Sequence, residues 1–145
     1  MPDLLSNSAI DSGLQWELPR MKRRKTTHQF DRAVVRRLRK LCLSLPETRE
    51  TASWGHPNFR AGKRTFVAFE VFNARPSIAF RLDPVNIRLL LHQKQFFATP
   101  YGRGKWVSLR ADGMVNWTHV AQLVDRSYRT VATERMVELH DRKNT

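Results

Sequence analysis

Ser53-Trp54-Gly55-His56-Pro57-Asn58-Phe59-Arg60 is the stretch on which the reading of this chain turns. Tryptophan, glycine, histidine and proline in succession suit neither a regular helix nor a regular strand. Pro57 lacks a backbone donor and pushes His56 toward extended geometry. Gly55 permits backbone angles that its neighbours adopt only at a cost. A large ring, a titratable ring and a guanidinium are therefore expected close together on one constrained bend.

On the N-terminal side of the bend, the spacing predicts a helix from about Asp31 to Ser44. Phe30, Val34, Leu38, Leu41 and Leu45 recur every three or four residues as one apolar stripe. Arg32, Arg36, Arg39 and Lys40 fall on the opposite side, with Arg37 at the margin, and Leu45-Pro46 stops the helix. On the C-terminal side three strands are predicted, Phe59 to Ala61, Thr65 to Phe72 and Ser77 to Leu82. Turns at Gly62-Lys63-Arg64 and Asn73-Ala74-Arg75-Pro76 join them. The middle strand carries apolar residues on both faces, which predicts a central position.

Asp83-Pro84 starts a helix, with an aspartate N-cap and proline at the first helical position, ending near Gln93. Phe96-Phe97 anchors the chain to the core, Pro100 to Gly104 forms a glycine-rich loop, and Lys105 to Arg110 is a fourth strand. Asn116 caps a last helix whose buried face is marked by Trp117, Val120, Ala121, Val124, Tyr128 and Val131. The polar residues Thr133 to Thr145 are expected to continue or fray it. The organisation predicted is an irregular basic leader over 1–27, one domain over 28–135 and a polar tail over 136–145. The fold class is α+β, an antiparallel sheet of about four to five strands flanked by N- and C-terminal helices.

Trp54-Gly55-His56-Pro57-x-Phe59-Arg60 followed by Gly62-Lys63 resembles the signature of the MmcQ/YjbR family. The resemblance continues through Leu82-Asp83-Pro84, Phe96-Phe97, Pro100-Tyr101, Gly104-x-Trp106-Val107 and the last helix, and so spans roughly Phe30 to Ala132. It implies a CyaY-like (frataxin-like) fold in a small bacterial protein and DNA binding through a double-wing surface. Frataxins bind iron through an acidic ridge on their first helix. Here the corresponding helix presents Arg32, Arg36, Arg39 and Lys40, a face that repels divalent cations, so the resemblance carries the fold without the iron.

The 145 residues suffice for one domain with a real core. No apolar run reaches the roughly 18 residues of a membrane span. Leu4-Leu5 lacks the basic and apolar regions of a signal peptide, so a cytoplasmic location is expected. Cys42, the single cysteine, forms no intramolecular disulfide and sits between Leu41 and Leu43 as a packing residue. The net charge is +13. Residues 1–25 hold five basic and three acidic residues, which leaves +11 on the body. That exceeds the net charge of roughly 2–8 that solubility asks for, and a basic body points to an anionic partner.

Five scattered histidines, none at ligand spacing from another or from Cys42, make no metal motif. Gly102-Arg103-Gly104-Lys105 has some of the look of a phosphate cradle. It lacks the Ser or Thr after the lysine and precedes a strand, so it reads as a turn needing glycine angles. His56 is the one catalytic candidate, but no nucleophile, carboxylate pair or cofactor motif accompanies it. The plainer expectation is that Trp54 and Phe59 pack while His56 hydrogen-bonds to backbone. No cofactor and no enzyme activity are predicted.

Nucleic-acid binding draws on more features. Lys63 and Arg64 on the first turn, Arg75 on the second, Arg103 and Lys105 on the third, Arg60 at the far end of the motif, and the arginines of the first helix are candidate phosphate contacts. Trp54, Gly55, His56, Pro57, Phe59 and Trp106 are expected to be structural. The partner expected is DNA, bound with low specificity. The alternative is a small protein-interaction or ligand-binding domain with a pocket at the Trp54–Arg60 bend.

Overall fold

In a computed structural model of the chain, which describes residues 32–143, the quoted stretch folds as a hairpin. Strands β1 (Thr48–Ser53) and β2 (His56–Ala61) pair antiparallel with Ser53 opposite His56. Trp54 and Gly55 are then the whole loop, with φ of 55° and 79°. A two-residue hairpin loop of type I′ requires positive φ at both positions. The expected bend is therefore a hairpin tip, and His56-Pro57 is regular strand. Pro57 lies opposite Ala52, a position that makes no ladder bond to β1. Its missing donor would have faced β3 (Arg64–Phe72), whose ladder with β2 begins only at Asn58.

Strands β4 (Arg75–Arg81), β5 (Phe96–Ala98) and β6 (Trp106–Arg110) complete an antiparallel sheet of order β1-β2-β3-β4-β6-β5. Six strands replace the four to five expected. The two extra ones give little signal. β1 is a mostly polar edge strand, and β5 has only three residues. Between Phe59 and Arg60 the register shifts, since Val67 pairs with Phe59 and Thr65 with Arg60. Phe66 is the extra residue of this bulge. Its ring meets Tyr128 edge-on at 5.7 Å.

Among the described residues four helices accompany the sheet: α1 (residues 32–43), α2 (Pro84–Leu90), α3 (Trp117–Val131) and α4 (Glu134–Lys143). Both predicted N-caps are in place. Asp83 accepts from the Asn86 amide at 3.2 Å, and Asn116 from the His119 amide at 3.1 Å. The chain divides into two units, Met1–Ala33 and Val34–Thr145, and the sheet, its core and α2 to α4 belong to the second. The basic leader, Phe30 and Asp31 lie outside the described residues.

One core joins Val34, Leu38 and Cys42 of α1, one face of the sheet, and Val120, Leu123, Val124 and Tyr128 of α3. The sheet's contribution follows from period two: the rows Val67–Phe80–Val107 and Phe69–Ile78–Leu109 face the core. The alternate rows, Ala68–Ala79–Ser108 and Glu70–Ser77–Arg110, face away from the helices. The Tyr128 hydroxyl donates to the Pro46 carbonyl at 2.8 Å and so ties α3 to the segment between α1 and β1.

Beyond Val131 the expected continuing or fraying helix gives way to a separate one. Thr133 Oγ1 accepts from the Met136 amide, and Met136 is buried at 2% exposure. His140 packs against the Tyr128 ring and meets Asp125 at 2.6 Å, while Arg129 bridges Asp125 and Asp141 at 2.9 and 2.7 Å. Among the described residues no helix is long and apolar enough to cross a membrane.

Candidate functional site

A groove of about 1030 Å³ runs between α1 and α3 on the helical side. Helical spacing sends Arg36, Arg37 and Lys40 of α1 into it, and α3 adds Trp117, Asp125 and Arg126. The Arg37 guanidinium lies 4.8 Å from the centre of the Trp117 ring, a cation–π contact. Arg126 donates to the Asn86 side chain at 2.9 Å. The one acid in the groove, Asp125, is engaged by His140 and Arg129. Burial pushes its carboxyl up, but those two hydrogen bonds outweigh burial and hold it below the usual range. Arg126 went unseen in the sequence because the reading of α3 followed its buried stripe. Its spacing from Thr118 and Gln122, every fourth residue, was the available signal.

The other predicted cations divide into those that share an end of the sheet and those that do not. Lys63 and Arg64 sit at the β2–β3 turn, where Gly62 has φ 62°. Arg103 and Lys105 lie in the loop before β6. Trp106, which opens β6, pairs with Arg81, which closes β4, so the loop falls at the same end as Arg64. Two strand spacings, about 10 Å, separate the strand rows they extend. Arg75 follows the turn at the far end of the nine-residue β3, about 25 Å away at normal rise per residue. There it pairs with Asp112 at 2.7 Å and lowers that carboxyl.

Two more candidates are occupied. Arg39 binds Glu50 of β1 through two hydrogen bonds of 2.6 and 3.0 Å. Arg60 donates to the Lys63 carbonyl and its Nε is buried, so it braces the turn. Arg32 belongs to the Met1–Ala33 unit.

On the face of the sheet away from the helices a cavity of about 600 Å³ opens beside the hairpin tip. Trp54, His56, Glu70, Phe72, Tyr101 and Trp106 are among its lining residues. Phe59 packs at 0% exposure as expected, but Trp54 does not: it stands 96% exposed at the mouth. The tip points its side chain off the sheet, where no core exists to receive it. His56 is half-buried and lines the cavity wall. The Tyr101 hydroxyl donates to Glu70 Oε2, while Glu70 Oε1 is buried without a hydrogen-bond partner among the described residues. Burial raises the Glu70 carboxyl above its usual range, against the lowering effects of the Tyr101 bond and His56. Burial and then Glu70 push the Tyr101 phenol up as well.

The Tyr101 and Trp106 rings stand 6.4 Å apart at 57°. Gly102, with φ 87°, holds them there: a Cβ at that position would sit 2.2 Å from Trp106 Cδ1. Glu70 and Tyr101 were missed as a pair. The signal available was a lone carboxylate within the apolar run Phe66-Val67-Ala68-Phe69-Glu70-Val71-Phe72. Among the described residues no three His, Cys, Asp or Glu side chains gather as a metal site.

The architecture is that of an α+β protein with a six-stranded antiparallel sheet flanked by N- and C-terminal helices. A family model described as YjbR matches residues 43–130, more than half of the chain, and the chain belongs to the MmcQ/YjbR family. Among solved structures it is similar to the Deinococcus radiodurans protein DR2400, which carries the DUF419 domain. The identity is 20% over 73% of this chain and 83% of that one, with a TM-score of 0.56. It is also similar to a Pseudomonas syringae protein, at 13% identity over 59% and 87% of the two chains and a TM-score of 0.52. At these identities the likeness concerns the fold alone. No curated protein matches the chain.

Proposed function

We propose that this protein is a non-enzymatic, low-specificity DNA-binding module that lays the phosphate backbone along the α1–α3 groove. The observation that carries the reading is the convergence of Arg36, Arg37, Lys40 and Arg126 on one groove whose only acid is already engaged. Arginine and lysine facing one way match a line of phosphates without reading bases. Lys63, Arg64, Arg103 and Lys105, at one end of the sheet, form a second basic group, apart from Arg75 at the other end. With this reading go the CyaY-like assignment of the fold and a cytoplasmic location. Support comes from family membership and from the order of helix, sheet and helices. Fluorescence anisotropy with duplex DNA tests it. For about six neutralised phosphates, log K falls against log salt with a slope of about −5. Absence of salt-sensitive affinity at low ionic strength removes the reading.

A second reading, a ligand-binding domain with its pocket at the Trp54–Arg60 bend, is favoured by the cavity beneath Trp54 and its aromatic walls. Thermal-shift screening against metabolites and nucleotides tests it. A rise in melting temperature is expected, and no rise with any ligand counts against it.

A further inference from the structure

We propose that the cavity between the Trp54-Gly55 hairpin tip and the loop before β6 binds a methylated ammonium group that retains an N–H. Trp54, Tyr101 and Trp106 would receive its methyls, and the Glu70 carboxylate its proton. This rests on the ligand-pocket reading and is independent of the DNA reading.

Charge sets the class of ligand. The net charge is +13, yet among the described residues no lysine or arginine lines this cavity. An anion entering it meets no fixed cation, whereas a cation meets Glu70. That carboxylate is incompletely satisfied, since Tyr101 takes Oε2 and Oε1 is buried with no partner among the described residues. A buried acceptor in this state is costly until a donor arrives, and a charged donor forms the stronger bond. Burial raises the Glu70 carboxyl even against the lowering effects of the Tyr101 bond and His56, which agrees with a carboxylate that those two neighbours satisfy only in part.

Shape sets the class further. Rings inclined at 57° with centres 6.4 Å apart make a corner rather than a parallel-walled slot. A flat base needs a slot, and a compact cation needs ring faces within about 6 Å on more than one side. Gly102 fixes the Trp106 wall, because any side chain there would collide with the indole.

Trp54 supplies the independent observation. It is 96% exposed, so its indole adds nothing to the core, and it holds φ 55°, a region unfavourable for a bulky residue. Asn or Gly suits the first position of this turn better. A tryptophan whose indole the core does not use, at the mouth of an aromatic cavity, has its ring face open to a ligand.

The test uses the full chain and calorimetric titration with three probes: N,N-dimethylbutylammonium, its quaternary trimethyl analogue, and neutral 3,3-dimethylbutanol. Saturable one-site binding of the tertiary ammonium is expected, weakened about tenfold by Glu70→Gln and about fivefold by Trp54→Ala. The exposed position of Trp54 keeps the second variant folded. Equal binding of the quaternary analogue overturns the N–H contact to Glu70. Equal binding of the alcohol overturns the cation assignment but leaves a ligand pocket standing. No saturable binding of any probe overturns this proposal, and the thermal-shift screen against metabolites and nucleotides then decides the pocket reading separately.

Discussion

The α1–α3 groove and the sheet-face cavity lie on opposite sides of one sheet and differ in almost every respect. The groove is walled by long cationic side chains on two helices, with Arg37 laid against Trp117. The cavity is walled by aromatic rings, holds one carboxylate and, among the described residues, no lysine or arginine. A net charge of +13 describes neither. Helical period directs the cations of α1 to one side, and strand period directs Glu70 to the other, so the fold sorts a charge that composition only sums.

The comparison breaks first at the groove. Replacing Arg36, Arg37 and Lys40 together by Ala removes three candidate phosphate contacts. The salt slope of DNA affinity should become less negative by about 2.7, measured by anisotropy over a salt series. Ligand binding in the cavity should not change. An unchanged slope would place the DNA contacts elsewhere, with the sheet-end cations next in line.

Gly102→Ala acts on the cavity alone. The added Cβ meets Trp106 at 2.2 Å and sits at φ 87°, and together these should cost about 1–3 kcal/mol by urea unfolding. DNA affinity should stay as it was. Equal stability would mean that the loop yields and that Trp106 is not a fixed wall.

Glu70→Gln sharpens the contrast through pH. Burial raises the folded carboxyl above its unfolded value, so Glu70 lends stability when protonated. That contribution is full below about pH 4, the unfolded value, and is lost as pH rises through the higher folded one. The glutamine variant, neutral throughout, should therefore gain melting temperature over the parent as pH rises from about 4 through the higher folded value. Glu47, Glu50, Asp112 and Asp141, held low by guanidinium partners, lose their contribution as pH falls. They do so in both proteins and cancel in the difference. A difference that does not change with pH contradicts the burial of Glu70.

The smallest effect belongs to Arg39→Ala. The Arg39–Glu50 pair is largely solvent-exposed, and its loss should cost about 0.2–1 kcal/mol in thermal or urea unfolding. DNA affinity should fall less than for any of the three groove cations, because Glu50 already holds this guanidinium. A loss equal to that of Arg36→Ala would show that the ion pair opens to phosphate.

Elements defined by their own period or caps were legible in the sequence. The apolar β3, the capped α2 and α3 and the stripe of α1 all appear where local pattern places them. β1 was hidden because an edge strand of Thr, Arg and Glu carries no apolar alternation. α4 was hidden because Met136 and His140 are two buried residues among charged ones, and only tertiary contact with Tyr128 and Asp125 makes them core. The site divides in the same way. Arg36 and Lys40 followed from helical spacing. The commitment of Arg39 to Glu50, the separation of Arg75 from Lys63, and the meeting of Glu70 with Tyr101 depend on which strands are neighbours.

Cys42 has a use that its packing role does not suggest. It is the single thiol of the chain, stands at 0% exposure in the core beneath α1, and burial raises its pKa well above the ordinary thiol range. A thiol reagent therefore reaches it only when α1 lifts from the sheet. Its labelling rate measures how often that happens, with no engineered probe. DNA seated along α1 should slow that reaction, while a ligand in the cavity on the far face should slow it only as far as it stabilises the whole fold.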